Sequence, residues 1–124
     1  MSGNDINLAS GSVTTTGGDG AATGSGTVAC QPGWLHSVQL DYAGTAPGTT
    51  DVTLTQTASP TALLTVTDSA TDATYYPRAA CVDTSATAIT DSHTPLWVHG
   101  SVAVAVAGCN ALAPAVTVYI TTRG

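Results

Sequence analysis

A chain of 124 residues has room for one domain and not for two ordinary ones. Its acidic residues, eight Asp and no Glu, face two arginines for a formal net charge of −6. That leaves too few cations to replace the counterions of a nucleic acid or to hold an anionic membrane surface. Lys and Phe are absent, and the abundant Ala sits among Thr, Val, Gly and Ser. These are residues of strands and turns, so the composition predicts an all-β protein with a core of small side chains.

The opening, Met1-Ser2-Gly3-Asn4-Asp5-Ile6-Asn7, carries no basic region and no apolar run, so no secretory signal is expected. No uncharged apolar run approaches the ~20 residues of a membrane helix. Residues 1–26 are rich in Gly, Ser and Thr, with Gly17-Gly18-Asp19-Gly20 and Gly24-Ser25-Gly26 as flexible points. Such a segment has too little apolar area to fold alone. It is read as an extended arm, with one short strand over 12–16, or as a frayed terminus. Residues 27–124 are read as a single β-sandwich domain.

From Trp34 the hydrophobic pattern has period two. Over 34–42 one face carries Trp34, His36, Val38, Leu40 and Tyr42, and the other Leu35, Ser37, Gln39 and Asp41. This is the pattern of a half-buried strand, with Trp34 and Tyr42 as core anchors. Ala46-Pro47-Gly48 marks a turn. A strand over 51–57 turns Val52 and Leu54 to one side, and Ser59-Pro60 closes it. A further strand over 61–67 centres on Leu63, Leu64 and Val66, and the polar run 68–72 turns the chain. Short strands follow over 75–82 and 87–90. A long strand over 96–107 lines one face with Val102, Val104 and Val106. After a turn over 108–114, Val116, Val118 and Ile120 make the last strand, with Thr117 and Tyr119 opposite. These last two strands alternate strongly and are read as antiparallel neighbours. Seven to eight short strands with turns about every ten residues predict an antiparallel β-sandwich or jelly roll. Without crossover helices a parallel sheet is not expected.

Signals for chemistry are weak. Gly18-Asp19-Gly20-Ala21-Ala22-Thr23-Gly24 falls one residue off a G-x-G-x-x-G, without the strand and helix a phosphate cradle needs. His36, His93, His99 and the cysteines lack zinc-site spacing, and His99, on a strand face with Trp97, is read as a hydrogen-bonded, partly buried His. Asp68 and Asp72 flank a turn as solvated carboxylates, short of the oxygen ligands calcium requires. No G-x-S-x-G elbow occurs, and a carboxylate pair drawn from eight Asp is no argument for a glycosidase. No enzyme activity, cofactor or metal is expected. Cys30, Cys81 and Cys109 are odd in number and form no C-x-x-C. They are read as free buried thiols of a reducing compartment, or as one disulfide with one Cys left over. The positive signals concern contact. Trp97, Tyr75, Tyr76 and Arg78 are the candidate interface, being the residue types enriched at binding hot spots. On a strand, adjacent Tyr75 and Tyr76 point opposite ways. Arg78 is read as an interface residue or as half of an intramolecular salt bridge.

The runs Val38-Gln39-Leu40-Asp41-Tyr42, Thr49-Thr50-Asp51-Val52-Thr53-Leu54, Leu63-Leu64-Thr65-Val66-Thr67 and Thr71-Asp72-Ala73-Thr74-Tyr75-Tyr76-Pro77-Arg78 follow one another, and 102–107 and 116–120 complete the series. The series resembles a family of small β-rich proteins encoded among head genes of tailed phages and prophages. Its most specific element is Asp-Ala-Thr-Tyr-Tyr-Pro-Arg with the upstream Leu-Leu-Thr-Val-Thr; Trp34 and the cysteines are not tied to the family. The resemblance implies a virion protein, specifically a capsid decoration (cement) protein. Its expected partners are the major capsid protein and itself, as a homotrimer, with no nucleic acid and no membrane. It would sit on the capsid exterior after assembly in the bacterial host cytoplasm. Residues 1–26 would suit an arm that pairs with a strand edge of a neighbour. Two other readings stand beside this one. One is a tail, neck or fibre-base component. The other is a carbohydrate-binding or adhesive β-sandwich, which calls for an exposed aromatic row.

Overall fold

The computed structural model describes residues 5–59 and 61–124. The described residues form eleven strands: β1 (Ile6–Val13), β2 (Ala22–Val28), β3 (Gly33–Tyr42), β4 (Asp51–Gln56), β5 (Ala62–Val66), β6 (Ala73–Tyr75), β7 (Arg78–Val82), β8 (Ala88–Pro95), β9 (Trp97–Val98), β10 (Val102–Cys109) and β11 (Val116–Arg123). No helix occurs among the described residues. One sheet runs β1-β11-β3-β6, with β9 also paired to β3; a second runs β2-β10-β4-β5. β7 and β8 make a separate two-stranded ribbon. Every pairing is antiparallel, and the two larger sheets enclose one core, so the chain is the antiparallel β-sandwich its alternation predicts.

The inward positions are those of the period-two pattern. Val38 and Leu40 of β3 and Val116, Val118 and Ile120 of β11 share one buried cluster with Val52 and Leu54 of β4 and Val102, Val104 and Val106 of β10. Each strand sends alternate side chains to the core because successive Cβ atoms point to opposite faces.

Four expectations are corrected. First, the described part of residues 1–26 is no separate arm. β1 pairs with β11 from Ile6↔Arg123 to Val13↔Val116, and β2 pairs with β10, so each closes the edge of one sheet. Of the glycines read as flexible points, Gly24 and Gly26 act here through their small size. A Cβ on Gly24 would collide with the Thr14 carbonyl oxygen, and one on Gly26 would meet Val13 and Ser12 of β1 in tight contact at 3.2 and 3.3 Å. They let the two edge strands approach where the sheets meet. Residues 1–4 lie outside the described residues, as does Pro60 of the predicted turn.

Second, β3 changes phase. Its register on β11 steps from Thr121↔Ser37 to Thr122↔Leu35, leaving His36 as an extra residue. A bulge of this kind reverses the faces on one side of it. Leu35, at 1% exposure, enters the core, and Trp34, at 47%, faces outward with His36. Trp34 is therefore no core anchor, whereas Tyr42 is buried.

Third, the strand expected over 75–82 is broken at Tyr76-Pro77 into β6 and β7. Fourth, the strand expected over 96–107 is broken at Gly100, whose φ of 149° suits glycine. β9 stays on β3, while β10 joins the opposite sheet. The last two long strands are thus in different sheets and do not pair.

Gln56 fastens that crossing. Its buried side chain donates from Nε2 to the Trp97 carbonyl at 2.9 Å and accepts at Oε1 from the His99 N–H at 2.9 Å. Without that side chain both of these bonds to the backbone are lost. Gln56→Leu is expected to destabilise the protein by about 2–3 kcal/mol, read as a lower urea midpoint with unchanged slope.

Candidate functional site

The bulge in β3 also creates the main concentration of exposed aromatic and basic side chains. With the phase reversed, Trp34 and His36 project outward. β9 places Trp97 opposite Trp34 in register, and the two indoles pack edge to face, with centroids 4.9 Å apart and planes at 82°. Beside them the His36 ring lies 5.8 Å from the exposed Tyr76 ring.

Arg78, the first residue of the ribbon, reaches back to the bulge. Its Nη1 donates to the carbonyls of Pro77 at 2.8 Å, His36 at 3.3 Å and Leu35 at 3.4 Å. A bulge takes main-chain groups out of the ladder, and the guanidinium satisfies two of the carbonyls there. Arg123 comes to the same place because it pairs with Trp34 at the end of β11. An open cavity of about 360 Å³ lies between them, lined by Trp34, Leu35, His36, Arg78, Pro95 and Arg123. The two arginines are the only Lys or Arg residues in the chain, so both side chains of fixed positive charge line one pocket.

Of the residues singled out in the sequence, Trp97, Tyr76 and Arg78 come together on this surface. Tyr75 does not: it is half-buried on β6 and packs against the core, so the two tyrosines do point opposite ways. Arg78 is held by main-chain carbonyls, not by the carboxylate one reading gave it. Trp34, read first as a core anchor, joins Trp97, Tyr76 and Arg78 on the surface, and His36 and Arg123 are not among the contact residues the sequence singles out. Trp34 and His36 shared a face with core residues in the unbroken alternation, and only the register on β11 reveals the extra residue.

The other candidates lie elsewhere. Among the described residues no three of His, Cys and Asp come together in a group that could hold a metal ion. Asp72 does more than face solvent in a turn, because its Oδ1 accepts the Tyr42 N–H at 2.7 Å. Asp68 donates its N–H to Asp51 Oδ1 at 2.9 Å. All three cysteines are free. Cys109 is buried, whereas Cys30 and Cys81 are only half-buried, and burial pushes the Cys30 thiol up to about 11.

The Tyr42 hydroxyl is buried without a hydrogen-bond partner. Desolvation, with smaller contributions from Tyr75 and Asp72, raises its ionisation from 10.0 to about 12. In the unfolded chain Tyr42 loses its proton first. Its contribution to stability is therefore intact below pH 10 and is lost as the pH rises toward 12. Tyr42→Phe is expected to flatten the alkaline fall of stability over that range. At pH 7 it leaves stability unchanged or raises it by about 1 kcal/mol, because it removes an unsatisfied buried group. Denaturant melts of both proteins at neutral and alkaline pH check this.

Comparison with known proteins finds no matching family model, no matching curated protein and no matching solved structure.

Proposed function

We propose that this protein is a non-enzymatic structural component of a phage virion, a decoration protein that binds the outer shell and stabilises contacts between major capsid subunits. The sequence resemblance to phage head-gene products supplies the context, and the β7–β8 ribbon is the observation that carries the role. No residue of the ribbon belongs to the hydrophobic core. Its side chains are exposed or half-buried, and it presents Val82 at 55% and Ile89 at 46% exposure. A two-stranded ribbon is marginal in water without something to pack against. A neighbouring capsid subunit would provide that, with Tyr76 at the base of the ribbon adding aromatic contact. Self-association as a homotrimer would likewise add burial to a core of small side chains.

The test is the copy number of the protein in purified phage particles, by quantitative mass spectrometry against the major capsid protein. A roughly equimolar ratio is the expected result. A handful of copies would move the protein to the tail or neck, and absence from particles would overturn the virion assignment. Shell binding by the double variant Val82→Asp, Ile89→Asp then tests the ribbon. Both positions are exposed, so the fold is expected to survive while binding weakens by at least about tenfold.

A further inference from the structure

We infer that the pocket between Arg78 and Arg123 is a binding site for a carboxylated sugar, a ring of the uronic acid type. The inference is independent of the virion assignment. The Nη1 of Arg78 is engaged with three carbonyls, which holds the guanidinium plane in place. Nε–H and the Nη2 hydrogens have no hydrogen-bond partner among the described residues. Together they form the edge of the guanidinium fork that matches a carboxylate with two parallel hydrogen bonds. Arg123, on the same pocket, has no ion-pair or hydrogen-bond partner among the described residues and brings a second positive charge.

The rest of the lining selects among anions. A chain of formal net charge −6 repels polyanions, so a nucleic acid or an acidic polymer is disfavoured against a ligand with one negative charge. The cavity, about 360 Å³, falls in the range of small-ligand sites. Trp34 lines the same cavity, and its indole is held by an edge-to-face contact with Trp97. A sugar ring can cover that indole with its C–H face while its carboxylate sits on the arginines. An Asp or Glu side chain of a peptide would reach the arginines and leave the indole bare, and inorganic phosphate would do the same. Because both Arg78 and Trp34 are held before the ligand arrives, little ordering remains to oppose binding.

The experiment is an NMR titration of the full chain with sodium glucuronate, glucose, inorganic phosphate and a hexa-aspartate peptide, followed at the indole and arginine side-chain N–H signals. Glucuronate is expected to give saturable shifts at Trp34, Arg78 and Arg123, with glucose and phosphate each at least about tenfold weaker. Arg123→Gln, at an exposed position whose side chain has no bond to lose among the described residues, should weaken glucuronate by about tenfold. Arg78→Lys, which keeps the charge and loses the fork, should weaken it as well. Equal binding of glucose, no effect of Arg123→Gln, or no saturation with glucuronate would each overturn the inference. Tighter binding of phosphate or of the peptide would overturn it too, the peptide result turning the pocket into a protein contact. Copy number in virions bears on none of these outcomes, so the two proposals fail separately.

Discussion

Replacing Gly108 with Val is expected to lower stability by about 3 kcal/mol, enough to bring thermal unfolding down by roughly 10 °C. Gly108 has φ of 61°, a left-handed conformation that a β-branched residue adopts only under strain. It sits where the register of β10 on β2 shifts between Val106 and Cys109. A side chain there would also run into the Thr49 carbonyl oxygen. That carbonyl cannot easily retreat, because the Thr49 hydroxyl donates back to the Gly108 carbonyl at 2.7 Å and Asp51 begins the pairing of β4 with β10. Gly108→Ala should fall between wild type and Val, since it meets the same conformational cost with a smaller side chain. Calorimetry on the three proteins checks the order. A Val variant as stable as wild type would show that the bulge can relax.

Leu40→Ala is expected to cost about 3 kcal/mol. Leu40 is fully buried in β3, opposite Val118 of β11 and Ala73 of β6. Leu35, Leu40, Leu54 and Ile120 are the largest fully buried side chains, and most of the rest are Val. Few neighbours are long enough to fill the space a Leu leaves, so the cavity should persist and its cost with it. Against a typical net stability of about 5–15 kcal/mol, that is a large fraction. Leu8→Ala is the control: Leu8 is exposed on β1, and truncating it should change stability by no more than about 0.5 kcal/mol. Urea unfolding of the pair measures the difference directly.

Both results bear on the pocket, because β3 is at once the centre of the core and the support of Trp34 and His36. Leu40 and Leu35 lie on opposite sides of the extra residue in β3, so loosening the core there should also blur the edge-to-face contact of the two indoles. A weaker near-ultraviolet tryptophan signal in Leu40→Ala would report it.

The all-β class was legible in the composition, and the inward faces of β4, β10, β11 and the second half of β3 were legible in the alternation. These are local properties: period two puts every second side chain on one face whichever strand lies alongside. What escaped the sequence is set by strand partners. Whether Trp34 points in or out depends on one extra residue at His36, which is visible only against β11. Residues 6–13 and 22–28 bring few large apolar side chains, yet they form strands because the edges of β11 and β10 accept them and small residues let them approach. The last two long strands alternate alike, but the break at Gly100 sends β10 to the other sheet. The pocket escaped for the same reason. Arg78 and Arg123 stand far apart along the chain and meet at Trp34 only because β3 carries the bulge that Arg78 caps and pairs with the strand that ends in Arg123.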